Sequence, residues 1–243
     1  MELRGRIALV TGGAHRVGRA LSVALAEAGM RVAINYNSAS AEADALVAEL
    51  AAQGHETRAY RADLTQPEAP ASLVTAVTRD FGGLDVLVNS AAVMRRTPVD
   101  EVSVAEWDDI FALNLRAPFF MSQAAHPWLR KANGNIVNLA DLAAFETWPD
   151  YIPHGISKAG VVQMTRAMAR VYAPEVRVNA IAPGAVLLPD TWDDSTRAHF
   201  AQTTPLHRIG SPNDVVGAMM YLLQSDYVTG DTLLVDGGRH VRS

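Results

Sequence analysis

His154 and Lys158 stand four residues apart in the run Pro-His-Gly-Ile-Ser-Lys, and Asp141 lies thirteen residues ahead of the histidine. In a helix, residues at i and i+4 share a face, so an imidazole and an amine would project into one space. Pro153 and the apolar-periodic run that follows, AGVVQMTRAMARVY, fit a helix beginning here. Imidazole titrates near neutrality, and its charged form is an acid. The charge on Lys158 would oppose protonation of the ring, whereas an Asp141 carboxylate brought beside it would favour it. The chemistry suggested is proton delivery, and three readings stay open. His154 is the donor; or Asp141 is, with its acid form favoured by burial, or Tyr151 swings in from ahead of Pro153; or the site binds its ligand without efficient turnover.

A second constellation points to a phosphate ligand. Residues 6 to 29, RIALVTGGAHRVGRALSVALAEAG, run from an apolar strand pattern into a glycine-bearing turn and then an alanine-leucine helix. Gly12 and Gly18 let a dinucleotide pyrophosphate approach the backbone, where free N–H groups and the helix dipole stabilise its charge. Arg16 occupies a place where a third glycine would be expected. At the end of the second strand pattern the chain reads Asn35-Tyr36-Asn37-Ser38, with no acid among them. A carboxylate there accepts the ribose hydroxyls of NAD and repels a 2′-phosphate. Its absence, with hydroxyl and amide donors at Tyr36, Asn37 and Ser38 and a cation at Arg16, favours NADP(H) over NAD.

These groups need a scaffold, and the rest of the chain supplies its pattern. Strand-length apolar runs fall at 7–10, 31–35, 56–61, 84–89, 134–139, 176–181 and 232–235, with helical periodicity between them. Uniformly apolar strands alternating with helices predict an α/β fold, a parallel sheet covered by helices on both faces. The 243 residues suit a single domain, and the 49% hydrophobic content supports a large core. Pro118 and Pro127 predict a kink or break in the long helix after Trp107. The net charge of −5 gives no hint of nucleic acid, and the absence of cysteine excludes disulfides and thiolate chemistry. Scattered histidines predict no metal site. With no signal-like start and no apolar run of membrane length, the chain is expected to be soluble and intracellular.

One segment breaks the rhythm. Residues 185–208 form a long excursion between the last two strands, suited to a substrate-binding lid or, alternatively, a packed helical hairpin. Leu187, Leu188 and Trp192 would give it an apolar wall.

Taken together, Thr11-Gly12-Gly13 with Gly18, Asp63-Leu64, Asn89-Ser90-Ala91, Asn114, Ser157-Lys158, Pro183-Gly184 and Val235-Asp236-Gly237-Gly238 resemble the short-chain dehydrogenase/reductase family along essentially the full chain. The resemblance implies a doubly wound Rossmann fold, a seven-stranded sheet in one domain over 1–243, a nicotinamide cofactor, a cytoplasmic location, and a homotetramer or homodimer. It carries the cofactor site onto Gly12, Arg16, Val17, Gly18, Tyr36, Asn37, Ser38, Asp63, Leu64, Asn89, Ser90, Ala91, Lys158, Pro183 and Gly184. Asn114 matches an asparagine that anchors a water relay to the lysine. Arg16, Asp141 and the stretch INYNSASAEADAL are similar to the pteridine reductase branch, which has aspartate in place of the usual serine.

Two departures stand out. The family uses Tyr-x-x-x-Lys, with the lysine holding the ribose, and here His154 occupies the tyrosine position. Met94 stands where pteridine reductases carry a ring that stacks the pterin, and a thioether gives up flat stacking. The expectation is an NADP(H)-dependent reductase acting on a pterin-like C=N or a carbonyl. Its catalytic group would be Asn114, Asp141, His154 and Lys158, and its substrate contacts Met94, Asp141, His154, Leu187 and Trp192. Reduction of a 3-oxoacyl or other ketone substrate is an alternative, as is an NADPH-binding scaffold with impaired catalysis. The partner is a small molecule, with no nucleic acid or membrane expected.

Overall fold

The computed structural model describes residues 1–188 and 193–241. Its framework is one sheet of seven parallel strands: β1 (Ile7–Thr11), β2 (Arg31–Tyr36), β3 (Thr57–Arg61), β4 (Val86–Asn89), β5 (Asn135–Leu139), β6 (Arg177–Pro183) and β7 (Thr232–Val235). The spatial order is β3-β2-β1-β4-β5-β6-β7, so the winding reverses between β1 and β4. All registers are parallel, for example Val10 beside Val88 and Val137 beside Asn179. A doubly wound sheet leaves its crevice outside the C-terminal strand ends at that reversal. The predicted strands all form, with ends shifted by a residue or two. β6 continues to Pro183, which is tolerated because a proline at a strand end forfeits little of the ladder.

Helices cover both faces. On one lie α1 (Arg16–Glu27), α2 (Ser40–Ala52) and α8 (Pro212–Gln224), burying Leu21, Leu25, Leu46, Leu50, Val215 and Leu222 against Val10, Ile34 and Val88. On the other lie α3 (Ala69–Phe81), α5 (Ala117–Ala132) and α6 (Ile152–Tyr172), with Val77, Phe81, Met121, Leu129 and Val161 against Leu9, Leu87 and Ile136. Each fully buried leucine or valine contributes about 1.5–3 kcal/mol, so the sheet is fixed mainly by this two-sided burial. Asp85 pins its lower edge, accepting from Arg6 Nη1 at 2.6 Å and from the Ile7 amide at 2.8 Å.

The expected break in the long helix is a π turn over Ala112–Arg116, between α4 (Val104–Phe111) and α5. Pro118 has no N–H to give the carbonyl four residues back, that of Asn114, and the turn widens just ahead of it. Pro127 is accommodated inside α5. The excursion after β6 carries α7 (Asp194–Gln202), capped by Asp193, which accepts from the Thr196 amide at 2.8 Å. Trp192 lies outside the described residues. Among the described residues no helix is long and apolar enough to cross a membrane.

Candidate active site

The turn after β1 is shaped by what it must avoid and what it must satisfy. Gly12 has φ +61 and faces Ala91 across the end of β4. A Cβ on Gly18 would overlap the carbonyl oxygen of Gly12, so only glycine lets the start of α1 lie against the strand. Thr11 Oγ1 accepts from the amides of Ser90 and Ala91 at 3.0 and 3.1 Å, tying β1 to the β4 turn. Asn35, absent from the sequence-based site, is a buried brace: its Oδ1 accepts from the Gly12 amide at 3.3 Å, and its Nδ2 donates to the Ala62 carbonyl at 3.2 Å. α1 has no acidic residue in its first turn and no side-chain cap, so its leading amides stay available to an anion. Arg16 opens that helix at φ 51, with its guanidinium donating to the Leu187 carbonyl at 3.4 Å.

A cleft of about 1250 Å³ runs across the sheet reversal. One end is lined by Gly12, Arg16, Val17, Gly18, Tyr36, Asn37, Ser38, Asp63, Leu64, Ser90 and Ala91. The other is lined by Met94, Asp141, His154, Lys158, Pro183, Gly184, Leu187 and Leu188. Asp63 accepts from the Thr65 hydroxyl at 2.7 Å and its amide at 3.0 Å, which hold its carboxyl below the usual carboxylate range. Asn89 and Asn114 do not line the cleft; both are buried beneath it. Asn89 Nδ2 donates to Asn138 Oδ1 at 2.8 Å, linking the ends of β4 and β5.

Four side chains from three elements meet at the second end. Asp141 follows β5, and its Oδ1 accepts from the Ala143 amide at 2.8 Å. His154 and Lys158 lie on one face of α6, whose second residue is Pro153. His154 Nε2 is 3.6 Å from Asp141 Oδ2, so the sequence-separated pair is brought together. Lys158 Nζ donates to the Leu139 carbonyl at 2.7 Å; burial lowers its pKa to about 8, against a smaller raising by Asp141. The Asn114 side chain is engaged by Val93 on both sides and by Ser157 Oγ at 3.1 Å.

Several lining residues were not singled out from sequence as substrate contacts. Trp148 and Tyr151 form an edge-to-face pair, centroids 6.1 Å apart, on the cleft wall beside Arg96. Phe200 of α7 and Arg239 also line it, with the guanidinium 3.7 Å from the ring centroid. The signal for the aromatic pair was three rings, Phe145, Trp148 and Tyr151, in the short run between β5 and α6. Among the described residues no cluster could hold a metal ion.

A family model described as enoyl-(acyl carrier protein) reductase matches residues 12–240. The 3-oxoacyl-(acyl-carrier-protein) reductase of Staphylococcus aureus is 33% identical over 96% of this chain and 98% of its own length. A Serratia marcescens short-chain dehydrogenase/reductase variant superposes with TM-score 0.92 at 29% identity, covering 99% of this chain and 100% of that one. A blue fluorescent protein from a metagenomic library, solved in complex with NADPH, gives TM-score 0.92 at 32% identity over 98% and 99% of the two chains. The length of these matches, joined to the sheet order and the placement of the cleft, makes the chain a member of the short-chain dehydrogenase/reductase family of oxidoreductases.

Proposed function

We propose that the chain is an NADPH-dependent reductase of a carbonyl substrate, using Asp141, His154 and Lys158 where the family has a tyrosine-lysine pair. The observation that carries this is the sharing of one cleft by the glycine turn and the Asp141–His154–Lys158 group. The residues present fit the cofactor: uncapped α1 amides for the pyrophosphate, Arg16, Asn37 and Ser38 for a 2′-phosphate, and Lys158 for ribose hydroxyls. A relative solved with NADPH supports the choice. When bound, that cofactor supplies hydride to an electrophilic carbon. The chain's own residues hold the substrate at the Met94, Tyr151 and Leu187 end and deliver the proton that the reduced atom needs.

A 3-oxoacyl or similar ketone is the first substrate class, on the strength of the Staphylococcus aureus relative. A pterin-like C=N is the second: Arg16 and Asp141 match that branch, and Trp148 with Tyr151 offers the flat apolar wall that Met94 lacks. Self-association into a homodimer or homotetramer belongs to the same proposal, supported by Phe119 and Phe120 exposed side by side on α5.

The test is stopped-flow oxidation of NADPH across acyl thioesters, diketones, dihydrobiopterin and dihydrofolate. Turnover of at least one member is expected. Micromolar NADPH binding without oxidation by any member overturns the reductase reading in favour of a nucleotide-binding scaffold.

A further inference from the structure

We propose that Asp141 hands the proton to the substrate and that His154 resupplies it from behind, an ordering that rests on the reductase reading above. The Val93 backbone sets the orientation of everything behind the pair. Its N–H donates to Asn114 Oδ1 at 2.8 Å, and its carbonyl accepts from Asn114 Nδ2 at 2.9 Å. A flipped amide would set donor against donor and acceptor against acceptor, so this peptide fixes the orientation of Asn114. The second Nδ2 hydrogen goes to Ser157 Oγ at 3.1 Å, and Ser157 gives its own proton to the His154 carbonyl at 2.7 Å. Asn114 therefore has no hydrogen left for His154 Nδ1, which lies 3.4 Å from it. Nδ1 lies 3.2 Å from the Val93 carbonyl oxygen, an approach that requires Nδ1 to carry the hydrogen.

With Nδ1 sealed as a donor, the atom that gains and loses a proton is Nε2. That atom is out of contact with solvent and has no hydrogen-bond partner among the described residues. Asp141 Oδ2 lies 3.6 Å away, and the two side chains differ in access, 3% exposed for the imidazole against 24% for the carboxylate. Both side chains border the cleft, but the carboxylate opens onto it while the ring, with Nε2 sealed from solvent, sits deeper. Lys158, whose charge also acts on Asp141, is held back on the Leu139 carbonyl.

The steps balance. With NADPH bound to supply hydride to the substrate carbon, the C=O or C=N π pair would move to oxygen or nitrogen, and that atom would take a proton from Asp141 as Asp141 Oδ2 takes the Nε2 proton of the His154 imidazolium. The relay would leave the Asp141 carboxylate and the Nδ1–H imidazole that Val93 already holds. Solvent reprotonates the pair through Asp141. One NADPH and one proton are consumed for each C–H and O–H, or N–H, formed. The 3.6 Å separation must close by about half an ångström for transfer, the tightening common on substrate binding.

Two readouts test the ordering. The first is diethyl pyrocarbonate labelling of the full chain, mapped by mass spectrometry, with the exposed His199 and His207 as internal standards. His154 should label at least ~10-fold more slowly than these, and Asp141→Ser, which keeps an oxygen for the Ala143 amide, should bring it to their rate. Wild-type His154 labelling as fast as His199 overturns the proposal. The second is kinetic: Asp141→Asn should lower kcat by ~10²–10⁴, the usual range for a general acid, and His154→Gln by less. Equal or reversed losses overturn it. Absence of any NADPH oxidation sinks the reductase reading instead, while the labelling alone still decides which group faces the cleft.

Discussion

Lys158 donates its ammonium to the Leu139 carbonyl at 2.7 Å, so the middle of the proposed catalytic face of α6 is fastened to the last residue of β5. The bond satisfies an amine that is only 3% exposed, and it does not abolish the cost of burying the charge. Burial lowers the pKa from 10.5 to about 8. Between those values the unfolded chain binds more protons than the folded one, so stability rises with pH there. The full gain is roughly 3 kcal/mol by pH 10.5, and below pH 8 the penalty is constant. Lys158→Met should remove this rise. Urea unfolding of both proteins from pH 7 to 10.5 checks it: parallel pH dependences would show that Lys158 is not the titrating group.

Arg16→Ala should raise the KM for NADPH about tenfold, roughly the 1.4 kcal/mol of a charge-assisted hydrogen bond, and leave the KM for NADH nearly unchanged. The side chain is exposed and its bond to the Leu187 carbonyl is long, so the thermal midpoint should hold. Equal increases with both cofactors would mean that Arg16 serves the pyrophosphate or the loop rather than the 2′-phosphate.

Gly18→Ala should cost more than about 2 kcal/mol, because the added carbon meets the backbone oxygen of Gly12 rather than a side chain able to move. Either α1 shifts away from the strand or the turn opens, and both displace the amides that face the cleft. Loss of NADPH binding together with a lowered Tm is the expected pair of results. A variant that binds NADPH like wild type would show that the turn yields without cost.

Much of this was legible because it is periodic or local. The strands carry their β-type runs, and Gly12 to Gly18 lies within one strand–turn–helix unit. His154 and Lys158 share a helical face by spacing alone. The approach of Asp141 to His154 needed the family pattern, because the twelve intervening residues include two short 3-10 turns whose path no periodicity reports. Asn35 went unassigned because nothing local in β2 reports that its amide braces the Gly12 turn against the Ala62 carbonyl. Asn114 is picked out by its motif, and only the placement of the Val93 backbone shows which groups its side-chain amide pairs with. Phe200 and Arg239 come from segments nearly forty residues apart, so nothing local in either predicts their stacking.

His154→Tyr tests whether the histidine and Asp141 act as one device. A phenol at this position reaches farther from α6 than an imidazole, so its hydroxyl can pass the carboxylate and meet the substrate itself. The Val93 carbonyl would lose the Nδ1–H donor but keep Asn114 Nδ2 at 2.9 Å, so it stays paired. In the tyrosine background Asp141 is no longer the last donor in line, and Asp141→Asn should then lower kcat/KM less than tenfold. In the wild-type background the same change should lower it at least about a hundredfold. The difference corresponds to a coupling of at least about 1.4 kcal/mol, well above the scatter expected for independent sites. Four values of kcat/KM at one pH, with melting curves to establish that each variant is folded, complete the cycle. Equal losses in the two backgrounds would mean that Asp141 works independently of residue 154, and the arrangement behind it would then be structural.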